Sequence, residues 1–581
     1  MKQAQWLAVF LAGDLPLSAN NKSITPSKRF SDLLNIRPGM ALCKIVTVAK
    51  PRAAKGAYDL PQLIVPTSKP APEDIRQIIN VIAEVSGLAP NPSLPRMNWS
   101  KKNHVLRRQI RALDDDRIQE KGEAMLGALI AQCLDCDAVE IEALNQGKSG
   151  AFIFRIRHKE GAAEKEFVLK LYDTRTGENR DKIEAEIKGY LKARSHFPDE
   201  EYDRHMPKLR PPKQTSPSGN DAWEYTVTKG QWHAIHYDFL GGTRFGKFID
   251  LETALLAKSR ELIDKTWYTE KREKTSVALD VQKRIKNRAV RLDKTDSAYA
   301  RETRLYIFET ILSWLCQHLY SRSEQSPARG VKLWNFEDGI QDKYAPKPPY
   351  SLSRKTREKI LSFIESREAE LGDHFFDNHW KRVTDNVRDF VELTLKPKKL
   401  DRYMPALMAP AHGDLNANNA LLWVGESKTF LIDFPFFQEK GHALQDLAQL
   451  EVEIEFILMD RQTDSPLNKL AAYDHTYSQM PLWKTLEDRL LSEKNWEAGI
   501  GPWPLSGHRE NVKLCLEMIQ KVRNSAIELK PEWRSNQKEF FDEYFAALLY
   551  HTMRAIGYES LSVFKRLLAV YSSGEIIERM R

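Results

Sequence analysis

The 581-residue chain reads as an α+β protein in which a small antiparallel-sheet lobe is followed by a larger helical lobe and preceded by a small α/β domain. Three observations lead there. The text VEIEALNQGKSGAFIFRIRHKEGAAEKEFVLKLYD runs strand, glycine turn, strand, polar turn, strand, a meander rather than a parallel strand–helix–strand unit. A helical pattern, NRDKIEAEIKGYLKARSHF, and a further strand pair, EYTVTKGQWHAIHYDFLGG, come next. After that pair strand signals are few, and helical periodicity runs on to the last residue.

The length exceeds what one hydrophobic core usually supports, roughly 250 to 300 residues, so more than one domain is expected. The boundaries read as 1–120 for the small α/β domain, 121–244 for the sheet lobe and 245–581 for the helical lobe with its inserts. In the first part WLAVFLA, ALCKIVTV and DLPQLIVP read as strands and PEDIRQIINVIAEVSG as a helix with an early proline and a glycine stop. NPSLPRMNWSKKNHVLRRQIRALDDD reads as a proline-marked linker entering a charged helix. Residues 257–304 hold a Lys- and Arg-rich insert, for which a solvated helical surface is the plain reading and an anion- or partner-binding surface the alternative.

A net charge of +8 is small beside 88 basic and 80 acidic side chains, and gives no argument for a nucleic-acid partner. Five sparsely placed cysteines fit a reducing compartment, so a cytoplasmic protein is expected. The apolar run Trp6 to Ala12 is short for a signal sequence and reads as a strand, and no stretch reaches the ~20 apolar residues of a membrane span. Cys133 and Cys136 have zinc-like spacing but no second pair, and read as a structural pair at a helix end. The tryptophans show no period and read as packing.

The chemistry-bearing text is AHGDLNANNALLWVGESKTFLIDF, residues 411–434. His412-Gly413-Asp414 is followed by Asn419 and then by an apolar strand ending in Asp433. Phosphoryl transfer needs one carboxylate to orient the attacking hydroxyl and take its proton, and an amide oxygen and a second carboxylate to hold Mg²⁺. Asp414 suits the first role, with His412 grouped beside it as catalytic, and Asn419 and Asp433 suit the metal. The two strands flanking Gly425 would form a hairpin that returns Asp433 to the loop. An ordinary hairpin beside an accidental HGD is the bland alternative.

HGDLNANNALL followed by LIDF resembles the aminoglycoside phosphotransferase and choline kinase pattern of the protein-kinase-like superfamily. The resemblance implies a bilobal kinase-like fold with ATP and Mg²⁺ between the lobes. GHALQDLAQLE resembles the family's downstream segment, which implies that Asp446 braces the catalytic loop. It implies a phosphate-covering turn at Asn145 to Ala151, with Gly147, Lys148, Ser149 and Gly150 next to the nucleotide. It implies that Lys170, at the end of FVLK, contacts the phosphates and pairs with an acid of the following helix. Glu184 and Glu186 are both candidates, and the family's spacing favours Glu186. The strand Trp232 to Phe239 resembles the hinge strand that meets adenine.

The GKSGA wording is also similar to a kinase-like domain of bacterial conflict systems described as a ternary-complex-associated domain. Departures matter too. There is no full GxGxxG, Asp433 is followed by Phe-Pro, and the short distance from Asp433 to Asp446 leaves no long activation segment. The expectation is therefore an ATP- and Mg²⁺-dependent phosphotransferase acting on a hydroxyl of an unidentified acceptor, not a conventional protein kinase. Alternatives are a nucleotide-binding pseudokinase that regulates a defence or signalling system, with a protein partner at the N-terminal domain, and a nucleotidyl transferase.

Overall fold

The computed structural model describes residues 7–10, 44–47, 95–99 and most of 121–581, outside 135, 144–150, 161–162, 175–176, 198–204, 213–221, 230–231, 239–247, most of 257–295, 326–329, 337–349, 376–377, 424–426, 460–479 and 493–509. In the N-terminal region β1 (Leu7–Phe10) pairs in parallel with β2 (Lys44–Thr47), both at positions expected to be strands. The strand expected at 59–66 and the helix at 72–87 lie outside the described residues.

One sheet organises the first lobe. It contains β3 (Arg96–Trp99), β4 (Ala138–Ala143), β5 (Phe152–Glu160), β6 (Ala163–Asp173), β7 (Leu209–Arg210), β8 (Thr226–Lys229) and β9 (Trp232–Asp238). The order is β3-β4-β5-β6-β9-β7, with β8 also on β9. The β4-β5-β6 meander is antiparallel, as the turn-marked sequence requires. Among the described residues of this sheet only β3 pairs in parallel, and it comes from text that read as a linker, so the sheet draws on chain N-terminal to residue 120.

Alternation along β6 sorts its side chains onto two faces. Phe167, Leu169 and Leu171 join Leu126, Leu129 and Ile130 of α1 (Lys121–Cys133) in a separate apolar cluster. Lys170 and Tyr172 point to the other face, over which α2 (Gly177–His196) lies. Cys133 ends α1 as a buried residue, and Cys136 just beyond it is half-buried.

The helical lobe is fastened beneath. β10 (Phe248–Asp250) and α3 (Leu251–Leu256) lead to α4 (Asp296–Trp314), which continues through a π turn to Tyr320. Short strands β11 (Glu324–Gln325) and β12 (Val331–Lys332) precede helices α5 (Arg354–Phe375) and α6 (Asn378–Val391). Then come β13 (Tyr403–Met404), β14 (Leu407–Ala411), β15 (Ala420–Trp423), β16 (Lys428–Leu431) and β17 (Gln438–His442). β15 and β16 form the expected hairpin, with β10 on its other edge. β17 pairs back onto β14, so the loops after β14 and β16 emerge side by side.

Helices α7 (Gln445–Val452), α8 (Met480–Leu491), α9 (Glu510–Glu528), α10 (Gln537–Ile556) and α11 (Val563–Met580) complete the lobe. Every residue of α7 is buried, which makes it the central helix. Trp334, Trp483 and Trp533 are buried in this core, in keeping with packing roles. Among the described residues no helix is long and apolar enough to cross a membrane.

One buried histidine makes the sheet acid-sensitive. His236 on β9 sits edge-on to Phe167 at 4.7 Å, and burial lowers its pKa to about 4, with Asp238 opposing and Arg210 and His158 adding to the shift. The unfolded ring titrates near 6.5, so stability is full above that pH and falls as pH drops toward the folded value, by about 2 kcal/mol at pH 5. Urea unfolding at pH 7 and pH 5 should show His236→Phe losing about 2 kcal/mol less than the parent over that interval; equal losses would contradict it.

Candidate active site

The periodicity of α2 decides which acid meets Lys170. Ile183, Glu186, Ile187, Tyr190 and Ala193 recur at helical spacing and form its buried face. Glu184 is off that stripe and pairs with Lys188 one turn on, at 2.5 Å. Lys170 Nζ donates to Glu186 Oε2 at 2.8 Å. The same carboxylate accepts from Tyr172 Oη at 2.5 Å and from Tyr237 Oη at 2.7 Å. Both phenols stand on the face of the sheet that carries Lys170.

Lys170 Nζ also donates to Asp433 Oδ1 at 3.0 Å, across the two lobes. Asp433 has φ +66°, a left-handed conformation rare outside glycine, which the surroundings must enforce. Its amide donates to Tyr190 Oη at 3.2 Å. Gly189 lets α2 approach the following residue closely, because a Cβ there would lie 1.7 Å from Phe434 O. Burial opposes the Lys170 charge, but Glu186 and Asp433 outweigh it and hold the ammonium pKa well above the ordinary lysine value.

The loop between β14 and β15 is held from below by α7. Asp446 is fully buried and accepts His412 N at 2.7 Å, Gly413 N at 2.9 Å and Tyr320 Oη at 3.2 Å. Burial pushes its carboxyl pKa up, while His412 and the two amides pull the other way. Gly413 takes φ +80°, and a Cβ there would lie 2.2 Å from Phe436 O, so glycine is required for both conformation and space. His412 Nε2 contacts Ile432 O at 2.9 Å. Its ring has no exposed surface and packs on Phe434. His412, expected to act beside Asp414, has no exposed surface here and positions the loop against the end of β16.

Asp414 follows with its side chain 23% exposed, at the surface of the site. Gln449 Nε2 donates to its Oδ1 at 3.0 Å, and Arg554 Nη2 lies 3.8 Å from the same oxygen. Asn419 Nδ2 donates to Asp414 O at 2.8 Å, which turns the amide oxygen away as a candidate ligand for a cation. Ile432 N donates to Asn419 O at 3.0 Å, so Asp433 begins one residue from the Asn419 backbone. An amide oxygen and a half-buried carboxylate are hard donors that fit Mg²⁺, which takes few protein ligands and completes its shell with phosphate and water.

The structure therefore brings Lys170, Glu186, Asp433, Asn419 and Asp414 together. Gly147, Lys148, Ser149 and Gly150, and Leu240 to Gly242 after the hinge strand, lie outside the described residues. Gln449, Arg554, Tyr172, Tyr237 and Tyr320 were not foreseen. Gln449 alone had a signal, its place one turn after Asp446 on the same helix. Asn418 is held by Glu252 of α3, another contact that no spacing announces.

Compared with known proteins, residues 388–557 match the family described as ternary complex associated domain 9. That interval holds the His412–Asn419 loop, Asp433, α7 and all of α10. No curated protein matches the chain significantly. Among solved structures, an ethanolamine kinase of Plasmodium vivax aligns at 9% identity with a TM-score of 0.29, covering 84% of this chain and all 100% of that one. The chain places a sheet lobe before a helical lobe, with the Asp433 strand end between them.

Replacing Asp446 with Asn removes one of the oxygens that satisfy the buried amides of His412 and Gly413. Asp446→Asn should lower unfolding stability by about 1–3 kcal/mol, whereas the surface change Glu184→Gln should stay within about 0.5 kcal/mol. Parallel urea titrations check this, and equal losses in the two variants would refute the bracing role.

Proposed function

We propose that the protein is an ATP-dependent phosphotransferase that moves the γ-phosphoryl group to a hydroxyl acceptor. The observation that carries the reading is the Lys170 ammonium, bonded at once to Glu186 in the sheet lobe and Asp433 at the end of β16. A structural ion pair needs no such third partner from the other lobe. A phosphate site does, because the cation must be aimed at the place where metal and phosphates meet.

In this reading the acceptor hydroxyl gives its proton to Asp414 as its oxygen attacks the γ-phosphorus. The bond from that phosphorus to the β–γ bridging oxygen breaks, and ADP leaves with the electron pair. Gln449 occupies Oδ1 of Asp414, and among the described residues nothing hydrogen-bonds Oδ2, which would receive the proton. Asn419 and Asp433 would hold Mg²⁺, whose charge would offset that of the phosphates. Lys170 would hold the phosphate oxygens.

A second reading, a nucleotide-binding regulatory component, draws on the description of the matching family as ternary complex associated. It uses the same pocket and differs only in turnover. Asp414→Asn should reduce Mg²⁺-ATP turnover about a hundredfold or more while nucleotide affinity changes less than about twofold, read by ADP release and by calorimetry. Turnover that persists in the variant would remove Asp414 from the role of base, and absence of turnover in the parent would favour the regulatory reading.

A further inference from the structure

The helical wall beside Asp414 carries a cation that the transfer reaction itself does not require. Arg554 lies near the C-terminal end of α10, one turn after Tyr550, and its guanidinium sits over the Tyr550 ring at 5.6 Å. Its ion pair with Asp414 Oδ1 is long, at 3.8 Å, beyond hydrogen-bond distance. Among the described residues the Arg554 side chain donates no hydrogen bond, although guanidinium carries five N–H donors in a planar fork. The side chain is 27% exposed.

Tyr558 stands next to it, past the Gly557 turn that ends the helix. Burial, with Glu453 and Asp414 adding and Arg554 opposing, pushes its phenol up to about 12, so it remains a neutral donor at physiological pH. Glu453, buried on the π turn after α7, interacts with Arg554 through charge without bonding to it. Two tyrosines thus flank an unspent guanidinium whose paired acid is the carboxylate that would meet the acceptor hydroxyl. Planar paired donors match the two oxygens of a carboxylate or phosphate, while a positive charge here repels an ammonium group.

We propose that Arg554, with Tyr558, forms the acceptor subsite and selects a small molecule whose hydroxyl is accompanied by an oxyanion, a carboxylate or a phosphate. This rests on the phosphotransferase reading for the role of Asp414. The oxyanion docks on the guanidinium fork, the carbon chain lies against the Tyr550 and Tyr558 rings, and the hydroxyl is presented to Asp414. Arg554 is a specificity-determining residue that makes no contact with ATP.

The test is calorimetry on the full chain saturated with Mg²⁺ and a non-hydrolysable ATP analogue, titrated with glycerol 3-phosphate, glycerol and ethanolamine. Glycerol 3-phosphate should bind at least tenfold more tightly than the other two. Arg554→Met should abolish that preference, Arg554→Lys should retain part of it, and the affinity for the analogue should not move. Equal binding of glycerol or ethanolamine, a preference that survives Arg554→Met, or no binding of glycerol 3-phosphate overturns the subsite. Failure of the analogue itself to bind counts against the phosphotransferase reading instead, and glycerol 3-phosphate titrated alone against the parent and Arg554→Met then decides the subsite.

Discussion

The arrangement depends on one buried ammonium. Lys170 is 6% exposed and Glu186 2%, and charges so far from water are costly unless they are paired and fully hydrogen-bonded. Glu186 meets that demand with three donors, Lys170, Tyr172 and Tyr237, and Lys170 meets it with two carboxylates from different lobes. Removing either acid leaves a buried cation short of compensation. The same bonds fix where Asp433 stands relative to the sheet, so the lobes share one electrostatic reference point. Close backbone approach at Gly189 makes that geometry reachable.

A second set of buried polar contacts fixes the other half of the site. α7 supplies Asp446 to the backbone of His412 and Gly413, and Gln449 to the side chain of Asp414. The helix is in turn anchored by Glu451, which takes Arg523 of α9 at 2.6 Å and Tyr544 of α10 at 2.6 Å with both charged side chains fully buried. A break in that ion pair would be felt at the loop through the helix rather than through any contact with the site. The loop thus inherits its rigidity from the core of the helical lobe.

Much of this was legible in the sequence, and the limits are physical. Strand alternation and glycine punctuation exposed the meander, and the HGD-to-Asn spacing with a following strand exposed the loop and hairpin. The family's spacing already favoured Glu186 over Glu184, and the structure supplies the reason in the buried stripe of α2. Asp446 was legible through the segment around it. That the His412 ring is buried against Phe434 was not legible in the text. Arg554 and Tyr237 approach the site from 140 and 177 residues away along the chain, and such contacts leave no local pattern. The edge strand β3 was missed because its flanking prolines and basic residues mask a short segment paired only with β4.

The central claim is that Lys170 and Asp433 define a metal-dependent nucleotide site between the lobes. Calorimetric titration of ATP into the parent and into Asp433→Ala, each with Mg²⁺ and with a chelator, addresses it most directly. The account predicts binding by the parent that weakens at least tenfold on chelation, and binding by the variant that is weak and indifferent to Mg²⁺. Absence of ATP binding by the parent, or binding that is equal in the variant and unaffected by the chelator, would contradict it.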